Sequence, residues 1–135
     1  MEQQALNQLM RDSANDAITT SQEEFNVQLD YSVDSVAQVD QIILQFLENY
    51  KEQALEDKAV FTICNIYGAY IGETFRKLAG GQWQYNIENE DAPTIMLIFN
   101  DKSFAFAGIC YERLVNNSKI SVKRYFDEAL GQLTQ

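Results

Sequence analysis

Between Asp57 and Ala79 apolar side chains recur at helical steps without a proline, and this run decides most of what the chain can fold into. Val60, Ile63, Cys64, Tyr67, Ile71, Phe75 and Leu78 fall on one stripe at three- and four-residue spacing. Phe61 and Tyr70 widen that stripe, so this helix is expected to be the most buried element. Gly80-Gly81 supplies its stop, because glycine accepts the left-handed backbone common after a helix. Arg76 and Lys77 stand in the last turns, where positive charge suits the helix dipole.

Two glycines interrupt this helix. Each costs about 0.5–1 kcal/mol relative to alanine in a helix interior. Gly68 and Gly72 are four residues apart and share a face. The compensating gain predicted for them is close packing, another backbone crossing at that point. The expected neighbour is the helix read over residues 34 to 50. A phosphate-binding loop is a poor alternative. It needs a strand, a tight turn and then a helix, and no Gly-Lys-Ser or Gly-Lys-Thr follows these glycines.

The flanking segments supply the other layer. Ser32, Asp34 or Ser35 is expected to cap a helix in which Val36, Val39, Ile43, Phe46, Leu47 and Tyr50 form the stripe. Asp40 and Glu48 are placed on its remaining surface. This helix fades in Lys51-Glu52-Gln53. After Gly81 the period changes to two. Trp83 and Tyr85 alternate with polar residues up to Ile87, and Glu88 to Ala92 reads as a turn. Thr94 to Phe99 is a second strand, whose unbroken Ile95-Met96-Leu97-Ile98-Phe99 predicts burial on both faces, with Pro93 at its start. Asn100-Asp101 turns the chain, and Ser103 to Ala107 returns as a short third strand. Gly108 reopens a helix that Asn116-Asn117-Ser118 breaks, and Ser121 caps a last helix carrying Val122, Phe126, Ala129, Leu130 and Leu133. The fold class that follows is α+β, a three-stranded antiparallel meander packed against several helices.

The first residues are harder to place. Residues 1–24 read as a polar N-terminal segment with a short helix over Ala5, Leu6, Leu9 and Met10, and 12–20 as a loosely packed stretch. Ser21 with Glu24 looks like a capping box for one turn, and Phe25 to Tyr31 alternates as an extended piece. Residues 25–135 are taken as a single α+β domain. The opening Met1-Glu2-Gln3-Gln4 has no basic stretch followed by an apolar run, so no export signal is expected and the location is read as cytoplasmic.

Charge and residue types narrow the chemistry. Twenty acidic residues face ten basic ones, a formal net charge of -10. Repulsion from phosphates argues against nucleic acid and against an anionic membrane, and leaves a basic protein as the compatible partner. The chain has no histidine, so Ser-His-Asp and Cys-His machinery and histidine-ligated zinc are excluded. Cys64 and Cys110 lie in apolar runs and read as reduced core residues. No metal-ligand or calcium-loop spacing occurs, and no cofactor is expected. A homodimer through helix 121–133 or the edge strand near residues 103–107 stays open.

The polar residues singled out as a candidate structural or ligand site are Asp30, Tyr31, Ser35, Tyr70, Glu73 and Trp83. Glu73 has three readings. It pairs with Lys77 one turn on at the stripe's edge, or it is partly buried and accepts hydrogen bonds from Tyr31, Ser35 or backbone donors at the start of helix 34–50, or it is a catalytic acid. Trp83 marks either core packing, the favoured reading, or a ligand surface. Tyr70 can pack its ring while its hydroxyl reaches a polar neighbour. Asp30 is read as a brace for the next helix. A carboxylate-dependent enzyme would bring Glu73, Asp30 and Asp40 together around a pocket.

The string Gly68-Ala69-Tyr70-Ile71-Gly72-Glu73, followed by Arg76 and then Gly81-Gln82-Trp83, resembles a motif of small uncharacterised bacterial domains. Leu29-Asp30-Tyr31-Ser32 with Ser35 and Val39-Asp40 resembles the segment that leads into the first long helix of the same domains. With the strand after Pro93 and Ser121-Val122, the resemblance spans roughly residues 25 to 130. It implies no activity and no site residue. The expected function is therefore a protein-interaction or regulatory module. The alternatives are an immunity-type inhibitor of a basic toxin, a small-ligand binder and a carboxylate-dependent enzyme.

Overall fold

A computed structural model describes residues 2–49, 56–86 and 94–131. The long apolar stripe forms α3, Asp57–Leu78, in which every residue from Tyr67 to Phe75 is buried. Such all-round burial requires partners on several sides. On one side lies α1, Gln3–Phe25, a single 23-residue helix. A short helix with a loose stretch behind it was the expectation, and it is corrected. Leu6, Met10, Ala14, Ala17 and Ser21 make a buried stripe of mostly small side chains along α1. Small residues let two helix axes come close, so α1 is held by proximity more than by bulky apolar groups.

Ser21 is not a cap. It is buried inside α1, 2.9 Å from the Tyr67 hydroxyl. The helix ends at Asn26, whose left-handed φ of 54° lets Val27 N–H reach the Ser21 carbonyl, a common helix stop. Phe25 closes α1, and the connection that follows pairs with no strand but keeps the expected alternation: Val27, Leu29 and Tyr31 turn inward while Gln28 and Asp30 are exposed.

Helix α2, Val33–Asn49, starts where the serines predicted. Ser32 Oγ accepts the Ser35 N–H at 3.1 Å, the hydrogen bond of an N-cap. Tyr50 and Lys51-Glu52-Gln53 lie outside the described residues. So do Ile87, the turn Glu88 to Ala92, Pro93 and Leu133.

Gly80 and Gly81, at φ 102° and 110°, turn the chain from α3 into the sheet. Strand β1, Gln82–Asn86, pairs antiparallel with β2, Thr94–Phe99, which pairs antiparallel with β3, Lys102–Phe104. The fold is thus α+β with a three-stranded antiparallel sheet against several helices. The register aligns Trp83, Leu97 and Phe104 in one row across all three strands, and all three are buried. Burial of β2 on both faces is corrected. Only Leu97 is fully buried, and its neighbours Met96 and Ile98, which the pleat turns to the opposite face, stay half-exposed.

Strand β3 ends at Phe104, earlier than expected, because Phe106 already opens α4, Phe106–Tyr111. A π turn, Glu112–Asn116, extends α4, and α5, Val122–Gly131, closes the described chain. Phe75 of α3 lies at the centre of this half. Its ring centroid is 5.3 Å from that of Phe104, 5.8 Å from Phe106 and 6.2 Å from Phe126, so one side chain ties sheet, α4 and α5 to α3.

Candidate functional site

The polar residues selected from the sequence assemble into two adjoining junctions rather than an open site. At the first, Tyr31 N–H donates to the Tyr70 hydroxyl at 2.8 Å. The Ser35 hydroxyl donates to the Ser32 carbonyl at 2.6 Å. That spends the only proton of Ser35, so the 2.6 Å contact between Tyr70 and Ser35 has Tyr70 as donor. The chain of donors therefore runs from the Tyr31 amide through Tyr70 and Ser35 to the Ser32 carbonyl. It locks the start of α2 onto the middle of α3. Burial, the largest influence, raises the Tyr70 pKa, partly offset by its hydrogen bond with Ser35. The buried phenol, engaged on both sides, clamps the start of α2 to α3.

Tyr31 completes this junction in an unusual backbone state, φ 62°. Its ring stacks on Tyr70 at 5.0 Å, and the Lys77 ammonium sits 4.7 Å from its centroid. Burial, followed by the nearby Glu73, raises the Tyr31 pKa. Asp30 is exposed and accepts the Ser32 N–H at 3.1 Å; its hydrogen bonds with Ser32 lower its pKa. It braces the turn before α2, as expected.

Glu73 belongs to the second junction. It is buried, and its Oε2 accepts Arg76 Nη1 at 2.8 Å and Trp83 Nε1 at 3.0 Å. Neither the exposed pair with Lys77 nor acceptance from Tyr31 or Ser35 occurs, since Lys77 faces the Tyr31 ring instead. Arg76 also donates to the Gly81 carbonyl at 3.2 Å, so it ties the end of α3 to the glycine turn.

The two glycines are close-packing positions, but not toward α2. A β-carbon on Gly68 would stand 2.5 Å from Ala107 Cα in α4, and one on Gly72 would overlap the Trp83 ring. The crossing is set by α4 and β1, whose residues come later in the sequence than the helix they contact.

Asp30, Glu73 and Asp40 do not converge. Asp40 is buried and serves α5. Its carboxylate accepts Val122 N–H at 2.7 Å, Lys123 N–H at 2.9 Å and the Ser121 hydroxyl at 3.0 Å. Arg113, also buried, lies 3.3 Å from the same carboxylate and donates to the carbonyls of Asp40, Ser118 and Ile120. The sequence reading places Asp40 on the helix surface and gives Arg113 no role, and the buried pair corrects both. Asp40 follows Val36 by four residues and precedes Ile43 by three, so it lies on the apolar stripe, and that spacing was the available signal.

A separate apolar groove of about 520 Å³ opens between α1, α3, α4 and the sheet. Gly68, Ala107 and Gly108 contribute small residues to it, and Trp83, Met10 and Met96 contribute bulk. Leu9, Phe61, Tyr85 and Tyr111 also line it and are exposed. The Phe61 and Tyr111 rings stack with centroids 6.4 Å apart. Gly68 and Trp83 are the sequence-selected residues that border it; no periodicity could announce the rest, because four elements meet there.

Both cysteines are free and buried, and burial pushes the Cys64 thiol up to about 12. Among the described residues no cluster of three or more His, Cys, Asp or Glu is placed to hold a metal. No described helix is long and apolar enough to cross a membrane. Comparison with protein-family models, curated proteins and solved structures finds no match.

Proposed function

We propose that the protein is a cytoplasmic interaction module that holds an apolar anchor of a basic partner protein in the groove between α1, α3, α4 and the sheet. One observation carries this reading. Of the six large apolar side chains exposed among the described residues, four line this one groove: Leu9, Phe61, Tyr85 and Tyr111. Scattered exposed apolar residues need no explanation, but convergence on one concave surface marks a contact site. Aromatic side chains and methionine are the types enriched at such contacts. The net charge of -10 supports a basic partner, whose approach it would speed.

Tagged protein and its Phe61→Ser and Tyr111→Ser variants, used for affinity capture from the native cell, test the reading. The expected result is a basic protein held by the wild type, weakened at high salt and lost from both variants. Identical retention by all three would refute it.

A further inference from the structure

The groove's polar groups narrow the kind of partner. Resting on the interaction reading above, we infer that the groove recognises a linear peptide segment in which one bulky apolar side chain is followed closely by lysine or arginine. Three observations support this occupant. The first is the lining: the exposed side chains of Leu9, Phe61, Tyr85 and Tyr111 surround one concave apolar surface, which suits a single bulky apolar side chain.

The second is an exposed amide on the groove's edge, open to a ligand. Asn65 lies one turn beyond Phe61 on α3, borders the groove, and makes no hydrogen bond to another described residue. A side-chain amide carries a donor and an acceptor together, which matches the carbonyl and N–H of one peptide unit. The Ser13 hydroxyl on the α1 side is likewise without a described partner. A peptide unit can replace the water at both groups, and a purely hydrocarbon ligand cannot.

The third is the sign of the rim. Glu112 directly follows Tyr111 and, among the described residues, is the one charged residue lining the groove. One carboxylate oxygen accepts from Asn116 at 2.8 Å, and the group remains exposed. Helical spacing puts Asp12 and Asp16 on the side of α1 that carries Leu9. It puts Asp57 and Lys58 on the side of α3 that carries Phe61. Arg11 is tied to Asp12 through the Gln8 amide, so four carboxylates stand against two cations, a balance that still favours a cationic group beside the apolar anchor.

Selection of phage-displayed random dodecapeptides on the folded wild-type protein tests this inference. The expected pool is enriched in a large apolar residue followed within one helical turn by Lys or Arg. Synthetic peptides from that pool should lose about tenfold or more in affinity on Phe61→Ser and on Glu112→Lys. Phe61 is 58% exposed, so its variant keeps the fold, which circular dichroism checks. A groove-dependent pool that is neutral or acidic would overturn the charge assignment and leave the interaction reading standing. Phe61-dependent capture of a cellular protein with no enriched peptide would overturn the linear-segment assignment alone. Loss of Phe61 dependence in both experiments would overturn both.

Discussion

The indole ring of Trp83 occupies the space that a side chain at position 72 would need. A β-carbon built on Gly72 falls onto the six-membered part of the ring. The same indole donates its N–H to Glu73, the next residue along α3, at 3.0 Å. Shape and a charge-assisted hydrogen bond therefore fix one strand against one turn of helix. The sheet inherits its position from that contact, because Trp83 is in register with Leu97 and Phe104.

Gly72→Ala makes this testable through its sign. Helix propensity alone predicts a gain of about 0.5–1 kcal/mol on replacing glycine. Overlap with the indole predicts a loss of about 1–3 kcal/mol. The net expectation is destabilisation, read as a lower urea midpoint. A raised midpoint would mean that the ring moves aside freely.

The Trp83–Glu73 bond should couple the two residues. Trp83→Phe removes the indole donor and leaves a space beside Gly72, and Glu73→Gln removes the charge that strengthens the bond. In a double-mutant cycle the pair should show a coupling of about 0.5–3 kcal/mol. Additive losses would assign Trp83 to packing alone.

Asp40→Ala should cost about 3–5 kcal/mol, because it strands the buried Arg113 and uncaps α5 together. Asp40→Asn keeps an acceptor for α5 and should cost less. Amide exchange at Val122 and Lys123 is the local readout. Both amides donate to Asp40, so they should lose protection before the amides of α3 do. Uniform loss across the protein would show that α5 does not open separately.

Alkaline pH should weaken the fold. Burial raises Cys64 from 9.0 to about 12, and Tyr67 from 10.0 to about 12 despite its hydrogen bond with Ser21. Both groups ionise more easily in the unfolded chain, so unfolding releases protons in this range. Their neutral forms contribute fully below pH 9, and stability falls as pH rises from 9 towards 12. Cys64→Ala should flatten the first part of that decline in denaturation curves taken at several pH values. An unchanged slope would show that Cys64 does not carry it. At neutral pH both thiols should resist alkylation until the protein unfolds.

Local signals are legible in this sequence. The apolar stripe and the Gly80-Gly81 stop set α3 to within a residue of its observed end, and the β-branched run gave the bounds of β2. Ser121 caps α5 through the Arg124 N–H, as its position suggested. Each of these depends on residues within a few positions of one another, where helical period, turn chemistry and capping act. The length of α1 is not legible in the sequence, because its buried face includes Ala14, Ala17 and Ser21, which carry little hydrophobic signal.

The two glycines separate what each level of information could decide. Their spacing in α3 by itself called for a close approach, since two helix-interior glycines need a compensating contact. The sequence could not say what approaches. Only the tertiary structure decided that Ala107 meets Gly68 and Trp83 meets Gly72, with α2 held elsewhere through Tyr70 and Ser35. It also decided that Asp40 pairs with Arg113, 73 positions away, and that four elements leave an apolar groove between them. Such contacts depend on how completed helices and strands cross in space. That is a property of packing, and no local period encodes it.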